Sequence, residues 1–515
     1  MGWRETITYY GIALEPIGQT AMLSVHRSPH PMVNKILLGI LCSLLVTHTG
    51  VGWAESATSQ QKPALPSGLS DSPLLNSRFL LFGSNKLRRQ TLDWAVKRGK
   101  LDMVAPLITA LRYLEAQQRG PVARALRKLT GKRFGDRWFD WMVWQQQQKE
   151  LAPFDGYDVF LAALLQSLDK NFSTFIYPGI KHGIRLEEIV WGGAKAGTGI
   201  PALNSPRMIK ASDAKYLSRT EKVFGVVING DARAYPYRFM DWHEMLNDTV
   251  GGVPITLAYC TLCGSGILFE SAPLGSHELA GKPLRFGSSG LLYRSNKLMF
   301  DETTNSLWNQ FTGQPAAGTL ANADLTLKTQ PLVTTTWKDW YVKHPDTQVL
   351  DINTGFERDY RPNGPYSDYF RSPDLLFPAA SDDEATKPKA EVFVLRIPGV
   401  EHYWPLQDFK KTPVINSRAG ALSLVLIGDA STKTVRAYRR EGYTFENSED
   451  SEDTEEGLTT RNASGEIESW KITEEALIGP NQETLTRLPG HLAYAFAWQT
   501  YYGGNDHEKN PATGR

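Results

Sequence analysis

Cysteine is scarce in this chain: three among 515 residues, Cys42, Cys260 and Cys263. No second Cys-x-x-Cys exists to complete a closed four-cysteine zinc ribbon. Excess charge is also missing. Fifty-six basic residues face 55 acidic ones, leaving a net charge of +1 and a pI near 7.7. No global field draws the molecule to nucleic acid or anionic lipid, so a nucleic-acid partner is not expected. There is no Walker loop, dinucleotide fingerprint, His-Glu-x-x-His helix or nucleophile elbow, which disfavours the common cofactor and hydrolase classes. Long apolar runs are absent apart from residues 36–46, too short to span a bilayer comfortably. What remains is an ordinary globular composition, 41% hydrophobic, with apolar material for several cores.

The run from Ile36 to Val46 follows Lys35 and precedes Gly52-Trp53-Ala54. A basic start, a short apolar stretch and small residues at −3 and −1 are the layout of a secretory signal peptide, with cleavage predicted after Ala54. The chain is therefore expected to be exported, periplasmic or extracellular, with no integral span after cleavage. Cys42 is lost with the leader, leaving Cys260 and Cys263 alone. An oxidising compartment lets them pair, yet a bridge closing so short a loop restrains little of the unfolded chain, so a purely structural staple is the weaker explanation.

The sequence predicts an α+β organisation: residues 1–54 upstream and signal, 55–77 linker, 78–180 an all-helical domain, 181–350 a first β-rich unit, 351–385 a connecting loop, 386–505 a second β-rich unit and 506–515 a tail. Leu92, Ala95 and Val96, then Phe160, Leu161, Leu164, Leu165 and Leu168 recur at helical spacing. Beyond Gly179 short apolar runs punctuated by Asn-Gly, Gly-Gly and Pro argue for antiparallel hairpins. One helix is expected over 237–247, closed by Gly251-Gly252. An internal repeat is visible: Val223-Phe224 and Tyr235-Pro236 match Val392-Phe393 and Trp404-Pro405 at an offset of 169, and Trp308 and Trp337 find partners in Trp470 and Trp498 at 162 and 161. Only the first copy carries cysteines. The acidic run at 446–456 reads as a solvated loop, and the connection at 354–378 has the length of a segment that covers a site.

Several ordered motifs lie in the first copy: Asn229-Gly230-Asp231-Ala232-Arg233-Ala234-Tyr235-Pro236, Asp241-Trp242-His243-Glu244, Gly251-Gly252-Val253-Pro254, Tyr259-Cys260-Thr261-Leu262-Cys263-Gly264, Phe286-Gly287-Ser288-Ser289-Gly290-Leu291-Leu292-Tyr293 and Ser306-Leu307-Trp308. Together they resemble domain-of-unknown-function family 3179 over roughly residues 183–378. That pattern usually has Pro where this chain has Thr261. The resemblance implies an exported protein but no established reaction.

Function must therefore be argued from the thiols. A Cys-x-x-Cys-Gly hairpin tip sets both sulfurs on one side, half of a thiolate metal site. With one further nitrogen or oxygen ligand it suits copper(I), or zinc with an open position. His243 is the candidate third ligand, with Asp241 or Glu244 to hold its other ring nitrogen; the alternative is a hydrogen-bonding histidine in a helix–sheet contact. The expected site is thus Cys260, Cys263 and His243, with copper or zinc as cofactor. Two other readings stay open: thiol–disulfide exchange, on a scaffold unlike thioredoxin because Gly264-Ser265-Gly266 and a β-run follow the pair, and a non-catalytic binding or assembly module. Ser288, Ser289 and Gly290 read as a flexible polar stretch able to offer N–H groups to an anion, or as a commonplace turn.

Overall fold

The structure, a computed structural model, describes residues 68–502 apart from 363, 381–385, 396, 398–401, 448–457 and 463. The signal-like segment, most of the acidic run and the tail lie outside the described residues.

Serine caps and glycine stops frame the helices. Ser72 and Ser84 accept from the N–H groups of Leu75 and Leu87, starting Pro73–Phe82 and Asn85–Arg98, and Gly99 ends the second at φ 68°. The first of these helices begins inside the stretch expected to be linker, because Pro73 is preorganised for a first turn and Leu74 and Leu75 follow it. Val104–Tyr113, Ala116–Thr130, Trp138–Gln147 and Tyr157–Leu168 complete the helical layer. Its core, with Leu107, Trp141 and Phe160 buried, runs without a break into Leu291, Leu298 and Ala317 of the sheets. The described residues form one compact unit.

The remainder is built mainly of antiparallel hairpins, so the fold is α+β. Lys222–Ile228 turns through Asn229 and Gly230, both left-handed, into Asp231–Pro236. The helix that follows stops at His243 rather than continuing to 247, and residues Met245–Val250 are a strand. Gly251 and Gly252, expected to close that helix, instead make the turn into strand Val253–Cys260. A Cβ on Gly251 would lie 2.0 Å from the Ile228 carbonyl oxygen, so the close approach of two hairpins demands glycine there.

The second half reuses this register. Val223↔Pro236 and Phe224↔Tyr235 recur as Val392↔Pro405 and Phe393↔Trp404, a displacement of 392 − 223 = 169. The same displacement carries Met245↔Ala258 onto Val414↔Ile427, and Cys260↔Ser265 onto Asp429↔Thr434. A returning strand pairs with the first strand of each half, Thr336↔Lys222 and Tyr494↔Glu391, and here the displacement falls to 494 − 336 = 158. On that spacing the buried counterpart of Trp498 is Trp340, not the expected Trp337. Trp340 faces inward from its helix, and a Cβ on Gly225 would meet its ring at 2.2 Å.

Candidate functional site

Strand Val253–Cys260 pairs with Ser265–Glu270, and the last pair, Cys260↔Ser265, closes a single tight helical turn over Thr261–Cys263. Gly264 completes it at φ 58°, and a Cβ there would come within 3.1 Å of the Tyr494 ring. Both thiols are free and buried, with their Sγ atoms 2.7 Å apart. Residues remote in sequence hold this turn. The Asn296 amide donates to Cys263 Sγ at 3.4 Å and to Gln310 Oε1 at 2.6 Å, and the Gln310 amide donates to the carbonyls of Ala258 and Ser265 at 2.7 and 3.0 Å. The connecting segment reaches over it: Tyr369 donates its hydroxyl to the Leu262 carbonyl at 2.6 Å.

Beside the thiols lies a buried ion pair. Glu244 caps the helix in the left-handed region, φ 56°, which turns its side chain back toward the cysteine turn. Lys297 Nζ donates to Glu244 Oε2 at 2.9 Å and to the carbonyls of Glu244 and Tyr259 at 3.4 Å. Thr261 and Tyr366 donate to Glu244 Oε1, each at 3.2 Å, and Ser288 to Oε2 at 3.4 Å. Burial would raise both thiols. At Cys260 the contact with Cys263, then the Lys297 backbone N–H and last its ammonium, outweigh burial and the Glu244 carboxylate and hold the thiol below its ordinary value, while burial and the neighbouring sulfur push Cys263 well above. The two cysteines are thus electrically unequal.

His243 does not join them. Its Nδ1 bonds the Pro201 carbonyl at 2.8 Å and its Nε2 the Tyr360 hydroxyl at 2.6 Å, so both ring nitrogens are engaged elsewhere. Burial takes its pKa down to about 4. Among the described residues no group of three or more His, Cys, Asp or Glu side chains converges as a metal site would require. His243 is the last residue of its helix and bonds two loop residues, Pro201 and Tyr360, so the expected third ligand takes the hydrogen-bonding role weighed as its alternative, with loops and not a sheet as partners.

Asp241, from the same helix, is buried with no partner for Oδ1. Burial raises its pKa to about 7, against the pull of Lys222. An unfolded aspartate titrates near 4. The folded state therefore keeps a proton that the unfolded state releases, and stability from this group falls as pH rises from about 4 through 7. Asp241→Asn should stabilise the protein by about 4 kcal/mol at pH 8 and by much less near pH 4. Urea unfolding at both pH values checks this; an equal gain at the two would show that the carboxyl is not held protonated.

The stretch Ser288-Ser289-Gly290, expected to be flexible, is a buried part of strand Phe286–Tyr293, interrupted by a bulge between Ser288 and Leu291. Its hydroxyls are spoken for: Ser289 donates to the Leu298 carbonyl at 2.5 Å. Lys297, Asn296 and Gln310 were not legible as site residues. The one available signal was a lysine inside the apolar strand Asn296–Asp301, where it cannot be solvated unless its neighbours provide a partner.

Neither the curated proteins nor the solved structures contain a match to the chain. A family model described as a protein of unknown function, DUF3179, matches residues 197–505, which takes in both β-rich halves and the cysteine turn. The chain belongs to that family.

Proposed function

We propose that the chain is a thiol–disulfide redox protein working through Cys260 and Cys263. The observation that carries the reading is the pair of free sulfurs 2.7 Å apart in a pinned turn. Converting them to a disulfide, whose sulfurs sit about 2.05 Å apart, needs little movement. The inequality of the two thiols supports a division of labour. The Cys260 thiolate attacks one sulfur of a substrate disulfide, forming a mixed disulfide and releasing the first substrate thiolate. Cys263 then loses its proton and attacks the Cys260 sulfur, releasing the second substrate thiolate. Substrate gains two electrons and the protein keeps the disulfide; the reverse sequence oxidises a substrate dithiol. Tyr366 and Tyr369 lie over the turn, so a bulky partner reaches the sulfurs only when they swing aside. Placement in an oxidising compartment rests on the signal-like layout of residues 35–54.

A second reading keeps the metal. Two thiolates without a third side chain suit copper(I) better than zinc, which in structural sites takes four ligands. The matching registers of the two halves also support an origin by duplication, in which the second copy serves as scaffold.

The test equilibrates intact protein in dithiol buffers of graded potential, traps free thiols by alkylation and weighs the peptide holding both cysteines. One two-electron transition is expected, with a midpoint between about −120 and −300 mV. Thiols that stay fully alkylated in the most oxidising buffer would end the redox reading. Copper bound one per chain, and lost in Cys263→Ala, would move the assignment to the metal.

A further inference from the structure

One cavity of about 600 Å³ opens where the two β-rich halves meet. That volume is in the range of small-molecule sites. Its lining carries six cations, Lys222, Arg371, Lys387, Lys389, Lys410 and Lys433, against the single carboxylate of Glu391. On a chain of net charge +1 this is a local concentration of positive charge, not a reflection of composition. Aromatic and aliphatic surface from Tyr237, Tyr494 and Leu492 fills the space between.

The cations differ in how they are held. Lys433 Nζ sits 2.7 Å from Glu391, which accounts for the only acidic group on the wall. Lys389 stands 3.7 Å over the Tyr369 ring and donates to the Ser372 carbonyl at 2.6 Å, with Asp374 its one acidic influence and no ion pair to it among the described residues. Lys222 lies 4.7 Å over the Tyr237 ring and makes no ion pair among the described residues. Burial lowers its pKa, so a bound anion would relieve a real desolvation cost. Lys387 and Lys410 stand exposed at the rim.

The cavity is also built from equivalent positions of the two halves. Lys222, Tyr237 and Gly264 line one wall; Glu391, Leu406 and Lys433, each 169 residues on, line the other. Gly264 and Lys433 share the left-handed conformation, at φ 58° and 61°. Tyr259 and Gly264, the residues that bracket the cysteine turn, both face this space.

We propose that this cleft binds a small organic polyanion, a molecule with two or more carboxylate or phosphate groups on a compact body. The site stands independently of the redox chemistry, since it is made of lysines and aromatic rings and uses neither sulfur. Carboxylate and phosphate sources are separated by the probes: citrate, inorganic pyrophosphate and, as an uncharged control, sucrose.

Isothermal titration of the intact protein should give a dissociation constant at or below about 1 mM for citrate or pyrophosphate and no heat with sucrose. Binding should weaken with added salt. Lys222→Met is expected to weaken it at least tenfold. Because that residue is half-buried, the exposed rim variant Lys387→Met/Lys410→Met is measured beside it; it cannot disturb the core and is expected to weaken binding at least threefold. Lys86→Met, on an exposed helix of the N-terminal layer, is expected to change nothing. No binding of either anion at millimolar concentration, or equal affinity in the rim double variant and Lys86→Met, would overturn the proposal.

Discussion

Replacing Lys297 with methionine is expected to cost about 3–5 kcal/mol of stability, because it strands the Glu244 carboxylate in the interior with hydroxyl donors alone. Lys297 is 2% exposed and Glu244 6%, so water cannot replace the ammonium. The same change removes the Lys297 ammonium, one of the groups that lower the Cys260 thiol, which should titrate higher and react more slowly with iodoacetamide. Urea unfolding and alkylation rate read the two effects separately. In the double variant Lys297→Met/Glu244→Gln the stranded charge is gone, so stability should recover relative to Lys297→Met; the Glu244 carboxylate also raises the Cys260 thiol, so alkylation should speed up again with it. Alkylation of Lys297→Met at the wild-type rate would mean that the lysine acts on the fold only and has no bearing on the thiol.

The second large effect lies in the other half. Glu474 accepts from Arg436 Nε and Arg487 Nη1, both at 2.8 Å, and both guanidinium side chains are only 2% exposed. Burial opposes ionisation of Glu474, but the two guanidiniums hold it well below the usual carboxylate range. Glu474→Gln leaves two buried cations facing a neutral amide, and a loss of about 3–5 kcal/mol is expected at neutral pH. The sign of the pH dependence follows. A depressed glutamate stabilises fully above its unfolded pKa, near 4.3; that stability starts to drain below it and is lost only as pH falls through the much lower folded-state value. The difference between wild type and variant should therefore be full above about pH 5 and narrow toward pH 3. A constant difference across that range would show that lost packing, not charge, is responsible.

Much of the architecture was legible because it is written in local pattern. Helical spacing marked the first layer, Asn229-Gly230 marked a hairpin, and the run of short apolar stretches marked antiparallel sheets. The cysteine turn was legible for the same reason, since a Gly after the second cysteine supplies the left-handed residue that closes it. Failures came where the decisive fact is a distance across the fold. His243 is adjacent in sequence to Glu244, yet a left-handed residue between helix and strand sends the two side chains in different directions. Lys297 and Asn296 reach the site from a strand more than thirty residues away, and no spacing rule announces that. The tryptophan pairing slipped by one helical turn, from Trp340 to Trp337, because the displacement between matched strands falls from 169 to 158.

The loop at 430–433 sits where the thiol loop sits in the first half, and it stabilises itself. Asp429 accepts from the Ser431 N–H at 2.7 Å and from the hydroxyls of Ser431 and Thr432 at 2.9 and 3.0 Å. The sulfur-bearing version fastens itself only by the Cys260–Cys263 contact and a long Gly264 N–H to Thr261 carbonyl bond, and borrows Asn296, Gln310 and Tyr369. Cysteines grafted at 429 and 432 would acquire the spacing without the surroundings. Reactivity here is not portable: it belongs to a neighbourhood, and the tetrapeptide alone does not carry it.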